Sequence, residues 1–385
     1  MGTVGWRAAT VGAVISMLNL LIGAAPVGAA SGPVTITADM PSAVPAGRFW
    51  AFNDFFPRHV SVRTGSDIEF VNQGFHTFTI LPAGVTAKQD QHANGIALDD
   101  ADDTGLNPNG TTHSELNQAA LGPTSFTCGS SADPCGFDGS TVVSSGAPLA
   151  GPPAPFAMHV SAAPGSYVFV CRVHAGMSGR LNVLPADATV PSASQVARQV
   201  AKQLRHDLKG AWAADRKAAH DALVRNRDGS DSWYVTAGTS SADGYVALLE
   251  FLPKSIDVQS GDKVFFKPRS PNEPHTVTFP GDLGTEFVPL CEVGTTDVPI
   301  GPTGCNFGPP DELELDGGNG VSQVTTPTTV SDSGIIGPPK LASDIAIPAS
   351  AILNTWTVSF AGATPGTYTY VCQIHDGMDA SITVN

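Results

Sequence analysis

Charged side chains are scarce in this 385-residue chain, at 14% against 42% hydrophobic residues, and that balance implies a globular protein. Basic charge is scarcer still. Twenty Lys and Arg face 35 Asp and Glu, for a formal net charge of −15. An acidic chain of this kind disfavours nucleic acid and anionic membrane surfaces as partners and favours basic ones. Long apolar runs are lacking too, with one exception at the N-terminus. There Arg7 precedes an apolar stretch that starts at Ala8, and the small residues "VGAAS" follow it. The pattern predicts a secretory signal peptide over residues 1–30, cleaved near Ala29 or Ala30, and hence a secreted or periplasmic protein. A retained anchor is the alternative, but the run is Gly/Ala-rich and short for a span. Cleavage removes Arg7 and takes the formal charge to −16. No second run is long enough to cross a bilayer, so no span is expected after cleavage.

Cysteine is also sparse, with six residues, which in an exported chain would ordinarily read as three disulfides. Their placement argues otherwise. Cys128 and Cys135 in "CGSSADPC", and Cys291 and Cys305 around "EVGTTDVPIGPTG", each close a short local loop and are predicted disulfides. Cys171 and Cys372 remain. They occupy the nearly identical stretches "PGSYVFVCRVHAGM" (164–177) and "PGTYTYVCQIHDGM" (365–378). A bond between them would not require the His and the Met that follow each at the same spacing.

That recurrence is part of a longer one. "FWAFNDFFPRHVSVRTGSDIEF" (49–70) aligns with "YVALLEFLPKSIDVQSGDKVFF" (245–266), with Pro57 on Pro253, Gly65 on Gly261 and Phe70 on Phe266 at a constant offset of 196. "GFHTFTI" aligns with "EPHTVTF" at 199 and the cysteine stretches at 201, a drift that small loop insertions explain. The chain is a duplication, which suits a length too great for one core.

Helical periodicity is absent from both copies. Segments such as "HVSVRTGSDIEFVN", "VTITA", "HTFTI", "HTVTF" and "WTVSF" alternate apolar and polar residues as strands do, and 41 Gly with 31 Pro supply turns. The expected fold is all-β, with two Greek-key sandwich or barrel domains over residues 31–186 and 231–385. Between them, residues 187–230 form a basic helical linker. Val196, Val200, Leu204, Leu208 and Trp212 recur every fourth residue, Ser192 with Gln195 forms a capping box, and a break is expected near Gly210. A solvated linker whose stripe rests on a domain is the expected role, and docking of a partner the alternative. Long insertions (82–155 and 281–348) precede each cysteine strand and read as solvated loops; the acidic "DDADD" (99–103) lacks the ligand spacing of a calcium loop.

Strand parity places Tyr167, Phe169 and Cys171 on one face, and Tyr368, Tyr370 and Cys372 likewise, so each sulfur faces the interior. A tight loop, helped by Gly176 or Gly377, can return His174 and Met177, or His375 and Met378, to that sulfur. Each copy offers one further imidazole at the start of a strand. His76 and His275 lie 95 and 97 residues before their cysteines. Two His, one Cys and a weak axial Met are the ligands a type 1 copper centre requires. Zinc is the second choice, but a structural zinc site would not use Met.

These motifs resemble the cupredoxins, the plastocyanin/azurin family of blue copper proteins, and the Cys-x-x-His-x-x-Met spacing is most similar to that of amicyanin and pseudoazurin. The resemblance implies that His76, Cys171, His174 and Met177 hold one copper and His275, Cys372, His375 and Met378 another. It further implies single-electron transfer to a redox partner protein, with the exposed edge of His174 or His375 as the exit. Two departures stand out: the long insertions, and Thr77 and Thr276 in place of the usual Asn after the first His. Two-domain copper nitrite reductases and multicopper oxidases carry a His beside the Cys ligand and His-x-His pairs. Here Val170 and Arg172, then Val371 and Gln373, flank the cysteines, and no His-x-His occurs, so an electron carrier rather than an enzyme is expected. A copper scavenger, storage or delivery protein is the alternative.

Overall fold

A computed structural model describes residues 32–95, 98–99, 114–116, 118–148, 154–220, 222–226, 231–271, 273–283, 306–307, 321–334, 336–337, 353–375 and 377–385. The predicted signal peptide, most of the acidic run and the Cys291–Cys305 pair lie outside these residues.

The described residues are mostly β. In the first half, one five-stranded sheet runs Phe55–Phe56, Val34–Ala38, Ser66–Asn72, Phe156–Val160, Cys135–Phe137. A second runs Val143–Ser144, Thr79–Ile80, Gly165–Val170, Ser178–Leu184, His59–Arg63. Alternation decides which side chains meet between them. In His59–Arg63, Val60 and Val62 are buried while His59 and Arg63 are exposed. Ile36, Ile68, Phe70 and Met158 from one sheet pack against Val60, Phe169, Leu181 and Val183 from the other. Each fully buried Phe or Leu there contributes about 2 kcal/mol.

The second half repeats the arrangement. A seven-stranded sheet includes Val246–Leu252, Asp231–Ser240, Lys263–Lys267 and Trp356–Ser359. It faces a five-stranded sheet of Ser255–Val258, Asp379–Val384, Gly366–Val371, Thr278–Phe279 and Ser331–Asp332. Val264, Phe266 and Val358 meet Phe279, Tyr370 and Ile382 in its core.

The alternating pattern did not indicate that the two halves share a sheet. Trp50–Phe52, from the first half, pairs antiparallel with Val246–Leu252, with Phe52 opposite Val246, Ala51 opposite Ala247 and Trp50 opposite Leu248. At the sequence offset of 196 these are equivalent residues exchanged: Trp50 corresponds to Val246 and Phe52 to Leu248. The halves therefore meet about a local two-fold axis through Ala51 and Ala247, as in an isologous dimer.

The helix Ala193–His220 lies over this junction. Val200, Leu204, Leu208 and Trp212 pack on Trp50, Phe52, Phe56, Val246 and Leu248. The Ser192–Gln195 capping box is formed. Two arginines of the first half dock the helix: Arg48 reaches Asp215 at 2.7 Å, and Arg58 holds Asp54 at 2.8 Å and Asp207 at 2.7 Å. The expected break at Gly210 is absent, because the helix is continuous. Glycine lets the helix pack closely there: a Cβ at 210 would lie 3.0 Å from the Ser241 Cβ.

The first insertion is not wholly a solvated loop. Ala87–Asn94 forms a helix started by a Thr86–Gln89 capping box. Cys128 and Cys135 form the predicted disulfide, with Cα atoms 5.0 Å apart.

Candidate metal centres

Each candidate centre starts from a strand end. Gly165–Val170 runs antiparallel to Ser178–Leu184, and the turn between them contains Cys171, His174 and Met177. The Cys171 N–H donates to the Met177 carbonyl at 3.0 Å, and the Met177 N–H to the His174 carbonyl at 3.1 Å. The same two bonds, 2.9 and 3.1 Å, close the loop from Cys372 through His375 to Met378. The repeated spacing thus has a repeated backbone reason.

His76 and His275 each stand three residues ahead of the strand that neighbours the cysteine strand, Thr79–Ile80 and Thr278–Phe279. The threonine after each secures the approach. The Thr77 N–H donates to Cys171 Sγ at 3.4 Å and its hydroxyl accepts the Arg172 N–H at 2.8 Å; Thr276 does the same with Cys372 and Gln373 at the same distances. The threonine that stands where the resemblance implied Asn is therefore built into both clusters.

The result is two matching clusters. Cys171 Sγ lies 3.9 Å from His76 Nδ1 and 3.6 Å from His174 Nδ1, with the two Nδ1 atoms 3.0 Å apart. Cys372 Sγ lies 3.9 Å from His275 Nδ1 and 3.5 Å from His375 Nδ1. Met177 and Met378 are buried in the same cores as their cysteines. The histidines and cysteines among the eight predicted ligands thus meet in two clusters, His76, Cys171 and His174 in one and His275, Cys372 and His375 in the other.

The electrostatics agree with a thiolate between imidazoles. Burial pushes the Cys171 thiol up, but hydrogen bonds from His174 and His76 outweigh it and hold the sulfur well below its usual range. At Cys372 burial is likewise outweighed, chiefly by the His375 charge and by bonds from His275 and His375. A buried thiolate, two imidazoles and an apolar shell form a donor set suited to copper.

Three further features were not read from the sequence. The Ala87–Asn94 helix braces the first ligand loop: Gln91 Nε2 donates to the Cys171 and His174 carbonyls at 3.2 and 3.3 Å, and Arg172 pairs with Asp90 at 2.7 Å. The second is Glu273, which is buried and lies 3.6 Å from His174 Nε2 and 3.7 Å from His375 Nε2. Asn53 Nδ2 donates to it at 2.5 Å. The third follows from this. The His174 and His375 side chains are each only 13% exposed, so their edges turn to one shared carboxylate and not, as the resemblance implied, to solvent. Burial would push both imidazoles down, but Glu273 and the cysteine sulfurs outweigh it and raise each to about 9. In return, His174, His375 and Asn53 overcome the burial of Glu273 and bring it to about 2.

No known protein-family profile matches the chain, and no curated protein matches it. Among solved structures it is similar to a mutant plastocyanin of a fern, at 18% identity over 40% of this chain and 99% of that one, with a TM-score of 0.20. It is similar also to a reduced mutant amicyanin, at 14% identity over 45% and 90%, TM-score 0.20. A third is dithionite-reduced auracyanin from Roseiflexus castenholzii, at 19% identity over 40% and 99%, TM-score 0.23.

Proposed function

We propose that the chain is a secreted or periplasmic protein of two Greek-key cupredoxin domains, residues 31–186 and 231–385, joined by the helical stretch 187–230. Each domain holds one type 1 copper: His76, Cys171, His174 and Met177 in the first, His275, Cys372, His375 and Met378 in the second. It carries single electrons between redox partner proteins. The observation that supports this most is the doubled cluster, a buried sulfur within 4 Å of two imidazole nitrogens, repeated with the same loop and threonine bonds. Among the described residues no helix is long and apolar enough to cross a membrane.

Copper, when bound, supplies reversible one-electron chemistry. The chain keeps the sulfur ionised, fixes both imidazoles by their Nδ1 atoms and excludes water from the donors. Because the Nε2 atoms of His174 and His375 face Glu273, the two sites share one outlet at the junction. Nothing beside the cysteines supplies a histidine for a catalytic copper, which favours a carrier over an oxidase or nitrite reductase.

Loading with Cu(II) tests the reading. Two coppers per chain with an intense blue thiolate absorption are expected, and Cys171→Ser or Cys372→Ser each removes one. A colourless protein that takes up only Cu(I) would refute electron carriage and favour copper storage or delivery.

A further inference from the structure

Since the two halves correspond residue by residue, a difference between their sites identifies what tunes them. Phe70 and Phe266 are equivalent; across the parallel ladders Phe70 faces Ile36 and Phe266 faces Val235. Three residues beyond, Asp39 therefore corresponds to Gly238. Both have left-handed backbone, at φ 63 and 67, and Asp39 is the only non-glycine residue with positive φ among the described residues. That conformation costs a residue with a side chain about 1 kcal/mol, which points to a use for the carboxylate.

The use lies beside His76. Asp39 Oδ1 accepts the N–H groups of Met40 at 2.6 Å and Phe52 at 3.0 Å. Oδ2 is left over Gly74, where a Cβ would lie 2.7 Å from it and 2.9 Å from His76 Nε2. Carboxylate and imidazole thus share the space a side chain at 74 would fill. In the second half the pattern is inverted. The offset of 199 that carries His76 to His275 carries Gly74 to Glu273. At Gly238 a Cβ would fall 1.9 Å from His275 Nε2, so the ring itself occupies the space. His275 Nε2 is buried there without a hydrogen-bond partner. Glu273 reaches one imidazole of each site at nearly equal distance, 3.6 Å to His174 and 3.7 Å to His375.

We propose that Asp39 makes the two metal sites unequal, favouring the more positively charged, oxidised metal in the first, so that a single electron given to the pair rests on the second. This rests on the copper reading. One electron from an outer-sphere one-electron reductant converts one Cu(II) to Cu(I), with no bond made and no proton moved; Asp39 decides which. A second difference opposes it. Asp332 stands where the first half has Ser144, bonded to the Thr278 hydroxyl and the Gly334 N–H, and its charge is felt at Cys372. Its removal should widen the gap.

Redox titration of the copper-loaded full chain, followed by the thiolate absorption and electron paramagnetic resonance, tests this. Cys372→Ser reports the first site and Cys171→Ser the second. The second site is expected to hold the electron at least tenfold more favourably, about 59 mV for a one-electron couple. Asp39→Asn keeps the acceptor for Met40 and Phe52 and should raise the first site alone, narrowing the gap; Asp332→Asn should widen it. Equal or reversed order in the two single-site proteins overturns the inference even if Asp39→Asn does not fold. So does an Asp39→Asn protein in which both sites move or neither does. If neither single-site protein shows the thiolate absorption, the copper reading itself falls.

Discussion

Replacing Asp332 with Asn should make the protein more stable at neutral pH, although it removes a buried, hydrogen-bonded group. Asp332 is almost completely buried, and burial raises its carboxyl from an ordinary 3.8 to about 6 against the pull of the Thr278 and Gly334 bonds. A raised acid binds its proton more tightly in the folded than in the unfolded chain. Stability from this group is therefore fully present below about pH 4 and is lost as the pH rises to about 6, after which the whole cost remains. A shift of roughly two units corresponds to about 3 kcal/mol. Asparagine keeps an acceptor for the Gly334 N–H and an amide that the Thr278 hydroxyl can accept from, without the charge. Urea unfolding of the metal-free full-length protein at pH 5 and pH 7.5 separates the possibilities. Asp332→Asn should gain about 1–3 kcal/mol over the parent at pH 7.5, and about 1.4 kcal/mol less than that at pH 5, where about half the cost is already present. An unchanged or lower stability at pH 7.5, or a gain that does not shrink on acidification, would refute the reasoning.

Two more predictions concern the junction. In the metal-free protein Glu273→Gln should lower the titrations of His174 and His375 together from about 9, since both depend on one carboxylate; proton NMR in which only one of them moves would disprove the shared contact. Arg58→Met should cost about 3–5 kcal/mol at pH 7 by leaving Asp54 and Asp207 buried without their cation, and less at pH 4, where both carboxyls, already raised by burial, take up protons. Chemical denaturation at the two pH values measures the difference.

The ligand clusters were legible in the sequence because their geometry is local. Two residues separate Cys171 from His174 and two more separate His174 from Met177, so one loop holds all three, and duplication singled out His76 and His275 from the other histidines. Strand alternation was equally legible, since the period of two acts within each segment. What escaped depended on distant partners. Glu273 stands two residues before His275, yet what it touches comes from loops about a hundred residues away on both sides. Thr77 looked like a departure from a pattern; its purpose appears only when the Cys171 strand lies beside it. The Ala87–Asn94 helix is short and polar, without a stripe to reveal it. Gly210 read as a helix breaker when isolated propensity was weighed, and close packing on Ser241 overrode that preference.

The antiparallel contact of Trp50–Phe52 with Val246–Leu252 gives the chain the character of a dimer that cannot dissociate. Because the covalent tether holds the partners at an effective concentration in the millimolar range, the interface can be weak in itself and still stay closed at any dilution. Substitutions along that strand pair would therefore leave one molecule whose halves open and reclose, and the distance between Cys171 and Cys372 would fluctuate with them.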